Sequence, residues 1–425
     1  MHAKRLIPTS VAYALLLVLA ASDPVVGAPK VTDKRLVLEE FYSGSPLSRP
    51  ISFDFVGPEK ILVIEKSSGI VRLIEPGKAP AQVLDRPVAT EFNGGGLGLA
   101  VDPNFAKNKY VYVFHTIAKT DGGDFIESQV ARYKMKGLGK KRPKLKKKKV
   151  ILRLPRSTSQ VNSGHHHGGY IRFGPDGKLY GMIGDYDRGR SDNPRTEQNT
   201  SSTEAANAGA IFRINPDGTV PADNPFSDHA VPEMRKWFVI GVRNGVGMDF
   251  QPSTGELWFT ENGPNQFDEI NRGVAGMNSG WVMIMGPDSR DAEYDANDRI
   301  ARDEADLPAL DGASYRDPIF SFLTPVGITS ILFLEDSALP ENLRGSVLVA
   351  DVVTRSLYLF KQTSAKDDFV LKGSHEDRVA DSESSRKALV WASDIGTIVD
   401  IRLGPDGFVY LSDTSSKTIF RIRPR

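Results

Sequence analysis

The stretch HHHGGYIRFGPDGKLYGMIGD, residues 165–185, holds three of the chain's seven histidines directly ahead of a glycine pair and ends in an aspartate. Imidazole titrates near neutrality, so such a cluster suits a proton-transferring base or a metal, and on a surface it is equally often inert. The aspartate bears on the choice. If the two apolar runs of this stretch form a hairpin, the chain reversal brings Asp185 back beside His166. There a carboxylate holds one ring nitrogen and leaves the other open as a base. Gly168 and Gly169 would let a flat ligand approach the backbone closely. Two more groups of residues bear chemistry. Arg243 and Asn244 stand in IGVRNGVGMDF (240–250), and TENGPNQFDEIN (260–271) offers the carbonyls of Gly263 and Pro264 beside Asp268 and Glu269. Oxygen donors of that kind suit calcium better than zinc, and the chain has no cysteine to favour a softer metal. A hydrolase or lyase using His166 with a metal has no specific motif behind it.

These residues need a scaffold, and the chain repeats one phrase. An apolar strand end, a Pro-containing turn and another apolar strand occur at 53–65, 99–116, 171–185, 248–263, 332–352 and 401–413. Pro fixes φ in such turns and Gly permits positive φ, so each copy reads as a hairpin. The spacing of roughly 45 to 90 residues exceeds that of compact propeller repeats, and loops must fill the difference. The expected fold is all-β: a six-bladed β-propeller with long loops, its edges protected by radial closure. Apolar segments at 35–42 and 418–424 are good strands at opposite ends of the chain, and pairing them in one blade would lock the ring. A pair of β-sandwiches is the rival, but no Pro/Ser-rich linker divides the sequence.

Composition sets the remaining bounds. Hydrophobic residues make up 40% of the 425, enough for a core, and the formal net charge of +1 gives no global field to recruit nucleic acid. Basic residues precede an apolar run at 11–21 and small residues follow to Ala28, the pattern of an export signal over residues 1–28. Eleven apolar residues fall short of the roughly 20 that span a bilayer, so no integral membrane segment is expected after the signal is removed. Residues 29–425 are then one secreted or extracytoplasmic propeller. One segment stands apart: 134–149 carries ten basic residues in sixteen. It is expected to be a flexible, solvent-exposed loop within a blade, because its charges repel one another and are not cheaply buried.

Several phrases in order along most of the chain resemble the soluble glucose/sorbosone (aldose sugar) dehydrogenases. They are GGGLGLAVDPNFAKNKYVYVFHT, HHGGYIRFGPDGKLYGMIGD, IFRINPDGTVPADNPF, VRNGVGMDFQPSTGELWFTENGP, DEINRGVAGMNSGW and VDIRLGPDGFVYLSD. The resemblance implies a six-bladed propeller that binds pyrroloquinoline quinone and calcium and oxidises a sugar or related alcohol. His166 takes the position of the base that removes the substrate hydroxyl proton as hydride passes to the quinone, and Asp185 that of its orienting partner. Arg243 and Asn244 take positions facing the reactive quinone carbonyl. Asn93 stands at a cofactor-binding position held in the family by an acidic or amide residue. The carbonyls of Gly263 and Pro264 take the calcium turn. The chain departs from the pattern at Tyr170, where the family has Arg. It departs again where the family grips the quinone carboxylates with a lysine and two arginines, since those positions are Val353, Thr397 and Val399. Arg355 and Arg402 lie near but out of register. Each missing charge-assisted hydrogen bond removes about 1.5 to 3 kcal/mol. Two functions are therefore carried forward: a quinone-dependent dehydrogenase with His166 as general base, and a non-catalytic secreted propeller that binds carbohydrate or protein.

Overall fold

Short β-branched and aromatic runs broken by Gly, Pro, Asn and Asp are too brief for helices and right for twisted strands. In the computed structural model they pair into six sheets of four to six strands. The structure describes residues 29–91, 93–155, 165–186, 207–294 and 304–425; the export signal expected at 1–28 lies outside them. The first sheet is a plain antiparallel meander, Pro50–Gly57, Lys60–Glu65, Val71–Ile74 and Ala81–Leu84. The others repeat it, and the third, fourth and fifth gain short extra strands at their outer edges. One strand of each sheet faces the middle: Pro50–Gly57, Gly96–Val101, Ile171–Phe173, Gly245–Phe250, Ile328–Phe333 and Ile398–Leu403. Each packs beside the next in that order, and the last returns to the first. The arrangement is an all-β propeller with few helices.

The two ends of the chain meet as their apolar character leads one to expect. Leu36–Ser43 pairs antiparallel with Thr418–Pro424, from Leu36 opposite Pro424 to Ser43 opposite Thr418. Apolar side chains fill the wedges between neighbouring sheets. Leu332, Leu348 and Leu357 of the fifth sheet, for example, pack with Ile401, Leu411 and Ile422 of the sixth, all nearly inaccessible to solvent. Each such side chain contributes about 1.5–3 kcal/mol of transfer free energy.

The basic segment is not the flexible loop expected from its charge. It forms the outer hairpin of the second sheet, with Lys144 paired to Lys136, Leu145 to Met135 and Lys149 to Arg132. Leu145 and Met135 point into the core while the neighbouring lysines stay in solvent, which is ordinary strand alternation. Lys147 sits at φ 55 where the register shifts, a bulge that keeps consecutive lysines outward. Charge density hid a period of two that only one leucine and one methionine report.

The middle of the ring is polar. Arg402 Nε donates to Asp400 Oδ2 at 3.1 Å, and its Nη2 donates to the Leu99 carbonyl at 3.1 Å. Its Nη1 lies 3.4 Å from Asp54 Oδ2. Asp400 Oδ2 also accepts from Phe53 N at 3.0 Å, and Asp400 Oδ1 accepts from the Tyr170 hydroxyl at 2.9 Å. Arg172 Nη2 continues the chain to Asp249 Oδ1 at 2.9 Å, and Asp249 Oδ2 accepts from Phe333 N at 2.9 Å. Residues from all six inner strands or their approaches are thereby joined. Burial alone would lower the pKa of Arg402, but Asp400, Tyr170 and Asp54 outweigh it, so the guanidinium holds its proton more firmly than usual.

Removing one partner of a buried ion pair leaves the other uncompensated, at a cost of about 3–5 kcal/mol. Arg402→Met should lose about that much in urea unfolding. The double variant Arg402→Met/Asp400→Asn should recover part of the loss. Equal losses for the single and double variants would show that charge is not what the centre of the ring depends on.

Candidate active site

The hairpin Ile171–Phe173 and Leu179–Ile183 carries the histidine segment at its entry and Asp185 just past its exit. Pairing continues beyond the strands, with Gly169 N donating to Met182 O at 2.8 Å, so the two flanks stay adjacent. A Cβ on Gly184 would lie 2.2 Å from the His166 carbonyl oxygen, and one on Gly98 would lie 2.0 Å from the Gly169 carbonyl oxygen. Glycine at these two places is what lets the backbones approach.

His166 Nδ1 donates to Asp185 Oδ1 at 2.6 Å. Asp185 Oδ2 accepts from Trp281 Nε1 at 2.9 Å, so the carboxylate is fixed from both sides. Asp185 N also donates to the Arg243 carbonyl at 2.8 Å. With Nδ1 carrying the shared proton, a neutral ring presents a lone pair at Nε2. No hydrogen bond to Nε2 is found among the described residues, and the side chain of His166 is 8% exposed as a residue. His166 adopts φ 53, a left-handed conformation uncommon for a non-glycine residue, which aims its ring differently from a strand residue. Residues 165–170 are not a strand, so the three histidines do not simply alternate between two faces. His167 instead packs its ring against Phe125 at 5.0 Å and Tyr186 at 5.2 Å.

A cavity of about 930 Å³, counted to its open mouth, occupies the central end of the ring. His167, Gly168, Tyr170, Asn93 and Asn244 line it, as do Thr397 and Val399. Val353 does not; it is 43% exposed, and Val352 faces the cavity in its place. Sequence reasoning missed four residues here: Lys66, Asn262 and Thr414 in the cavity wall, and Trp281 behind the carboxylate. Lys66 follows a strand end in a plain turn, and nothing in its local pattern marks it. Its ammonium donates to the Gly94 carbonyl at 3.0 Å, and burial, with repulsion from Arg49, lowers its pKa from 10.5 to about 8. It is the one charged side chain among the described residues of the lining. The hydroxyls of Thr397 and Thr414 are buried without a hydrogen-bond partner.

The expected calcium turn has other commitments. Arg243 Nη1 donates to the carbonyls of Asn262 at 2.8 Å and Gly263 at 2.9 Å, and its guanidinium lies 5.3 Å from the Trp281 ring centroid. Asp268 accepts backbone N–H groups of Gly263, Val326, Gly327 and Ile328 at 2.7–3.2 Å. Burial still raises its pKa to about 6. Glu261 accepts from Arg243 N and from the Ser279 hydroxyl, and burial lifts it to about 8. Glu269 is raised well above the usual range by burial and by repulsion from Glu261, while holding Gly286 N at 2.7 Å. These carboxylates tie loops together rather than converge on one point. Among the described residues no three His, Asp or Glu side chains are grouped to hold a metal.

Fold and site together define a propeller with a buried histidine–carboxylate pair whose neighbours His167 and Gly168, but not His166 or Asp185, line a largely apolar central cavity. Residues 47–421 match the family model "Glucose / Sorbosone dehydrogenase", and the chain belongs to that family. It is 25% identical over 391 residues to "Aldose sugar dehydrogenase YliI" of Escherichia coli, covering 89% of this chain and 91% of that one. It is 29% identical over 271 residues to "Quinoprotein glucose dehydrogenase B" of Acinetobacter calcoaceticus, covering 60% and 53%. The fold matches that of the PQQ-bound aldose sugar dehydrogenase of Streptomyces coelicolor, with TM-score 0.63, 19% identity and coverage of 94% and 100%.

The Lys66 charge carries a testable sign. Its folded pKa of about 8 lies below the ordinary 10.5, so below pH 8 the lysine is charged in both states and the fold bears the cost of burying it. Between those values the folded chain is the first to shed the proton, and this contribution to stability rises with pH. Lys66→Met should be at least as stable as the parent near neutrality, and its advantage should shrink from pH 8 towards 10.5 in thermal or urea unfolding. A difference that does not change with pH would show that Lys66 bears no such burial cost.

Proposed function

We propose that the chain is an exported oxidoreductase acting on a hydroxyl of a sugar or related alcohol, with His166 as general base and Asp185 as its positioning partner. The observation that carries this reading is the 2.6 Å contact between His166 Nδ1 and Asp185, with no partner for Nε2 among the described residues. Nε2 takes the hydroxyl proton, Asp185 stabilises the imidazolium that forms, and Trp281 keeps the carboxylate in place. An acceptor of the quinone class, when bound, would supply the hydride-accepting chemistry that balances this proton removal. The six sheets are read as six blades of one ring over residues 29–425, and residues 1–28 as the export signal.

Pyrroloquinoline quinone itself does not fit the residues present. It carries three carboxylates, and Lys66 is the one lysine or arginine among the described residues of the lining, while Thr397 and Val399 line the wall where the resemblance implies arginines. Arg402 is committed to Asp400 and Asp54 beneath Tyr170. Calcium at the 263–264 turn would have to displace the Arg243 guanidinium from the Gly263 carbonyl. The same mismatch favours the second reading, a secreted propeller that binds carbohydrate or protein without catalysis.

The two readings part in a dye-linked assay of aldose oxidation by the full chain. It is run with pyrroloquinoline quinone plus calcium, and separately with quinones of lower charge. A positioned base contributes roughly 100- to 10,000-fold, so His166→Ala should lower turnover by about that factor with a smaller change in KM. Asp185→Asn should lower turnover too and alter its pH profile, because the amide no longer fixes the Nδ1–H tautomer. If no quinone supports oxidation, or if His166→Ala retains full activity, the binding propeller takes the place of the enzyme.

A further inference from the structure

The central cavity has a charge count that differs from the one a tricarboxylic cofactor needs. Ile51, Leu97, Val246, Ile328, Val352 and Val399 make most of its exposed wall apolar. Against them stand one ammonium, Lys66 on the first sheet, the imidazole of His167, the uncharged polar groups of Asn93, Tyr170, Asn244, Asn262 and Thr329, and the buried hydroxyls of Thr397 and Thr414 at the inner end of the sixth. The two threonines are adjacent, with Thr414 N donating to Thr397 O at 3.1 Å, so the unpartnered hydroxyls form a small polar spot in an apolar wall. Orphaned buried hydroxyls each cost about 1–3 kcal/mol, and a ligand atom that meets them recovers it.

We propose that this cavity binds a ligand with an apolar, fused-ring body and a single anionic group, the anion on Lys66 Nζ and a hydrogen-bonding edge on Thr397 and Thr414. Charge decides the class. The other cations nearby are spent: Arg402 on Asp400 and Asp54, and Arg243 on the Asn262 and Gly263 carbonyls. Arg49 adds repulsion that depresses Lys66. One carboxylate restores the Lys66 charge and is neutralised by it, whereas a second or third would be buried without a partner. A neutral ligand of the same shape gains the walls and the threonines but not the ammonium. Binding of this kind requires no proton transfer at His166, so it can fail or succeed independently of the dehydrogenase reading.

The probes are 2-naphthoate, its uncharged methyl ester, naphthalene-1,4,5,8-tetracarboxylate, and pyrroloquinoline quinone with and without calcium, titrated into the full chain by calorimetry. 2-Naphthoate should bind about tenfold or more tighter than the ester and the tetra-anion. Its affinity should fall as pH rises past the Lys66 value of about 8, while that of the ester stays level. Lys66→Met should weaken 2-naphthoate about tenfold and change the ester less than about threefold. Should Lys66→Met fold poorly, the gain-of-charge variant Thr397→Arg/Val399→Arg supplies the complement: it should raise affinity for the polyanions at least about tenfold over the parent. Polyanions binding the parent as tightly as 2-naphthoate, no binding of 2-naphthoate, or unchanged affinities in both variants would each overturn the proposal.

Discussion

Arg402 and the carboxylates around it sit where six inner strands converge, a place that apolar side chains alone would fill without fixing the order of the strands. The guanidinium reaches Asp400 on its own strand, Asp54 on the first sheet and the Leu99 carbonyl on the second. Asp400 reaches Tyr170 at the third, and Arg172 carries the chain to Asp249 on the fourth, which holds Phe333 N on the fifth. Desolvating so many charges is expensive, and the mutual hydrogen bonds offset that cost only while the set is complete. Tyr170 belongs to this network by its hydroxyl and to the cavity wall by its ring. The floor of the candidate site is thus set by the ion network beneath it.

The site above this floor divides into two parts with different chemistry. The His166–Asp185–Trp281 chain is fully hydrogen-bonded on the side away from Nε2, and its strained backbone at His166 is held by the glycines at 98, 169 and 184. It is the group to which the proposed reaction gives the substrate proton. The cavity wall, by contrast, is largely apolar in exposed area, with uncharged polar groups such as Asn93, Asn244 and Asn262, one weakly basic lysine and two buried hydroxyls without partners among the described residues. Thr397 and Val399 line that wall, at the positions where the resemblance implies arginines.

The buried acids at 261, 268 and 269 show why residue type alone is a poor guide to metal sites. Asp268 and Glu269 stand beside the Gly-Pro turn expected to hold calcium, and Glu261 stands just ahead of it. Each accepts hydrogen bonds from backbone N–H groups or short polar side chains, and burial pushes all three towards the neutral form. A carboxylate that closes three loops and one that binds calcium share a sequence signature. They differ in which donors the fold brings within 3 Å.

What the sequence by itself determined was local and periodic. The repeated Pro/Gly hairpin phrase set the strands and the β class, the terminal apolar segments set their own pairing, and the short return from Ile171 to Asp185 placed His166 against its carboxylate. Each depends on residues close in sequence or on a pattern repeated along it. What only the tertiary structure decided depended on contacts between distant strands. Lys66 became a cavity residue because the turn after Lys60–Glu65 packs on Gly94 and Gly96 at the entry to the second sheet, and Trp281 met Asp185 across 96 positions. Arg402 was consumed at the centre rather than offered to a ligand, and Arg243 turned to carbonyls rather than to the cavity. The lysine run at 134–149 became a hairpin because two buried side chains sufficed to set its register, against a charge density that argued for a loop. Short-range geometry is encoded in spacing; which charge meets which, in a low-dielectric interior, is encoded only in the closure of the ring.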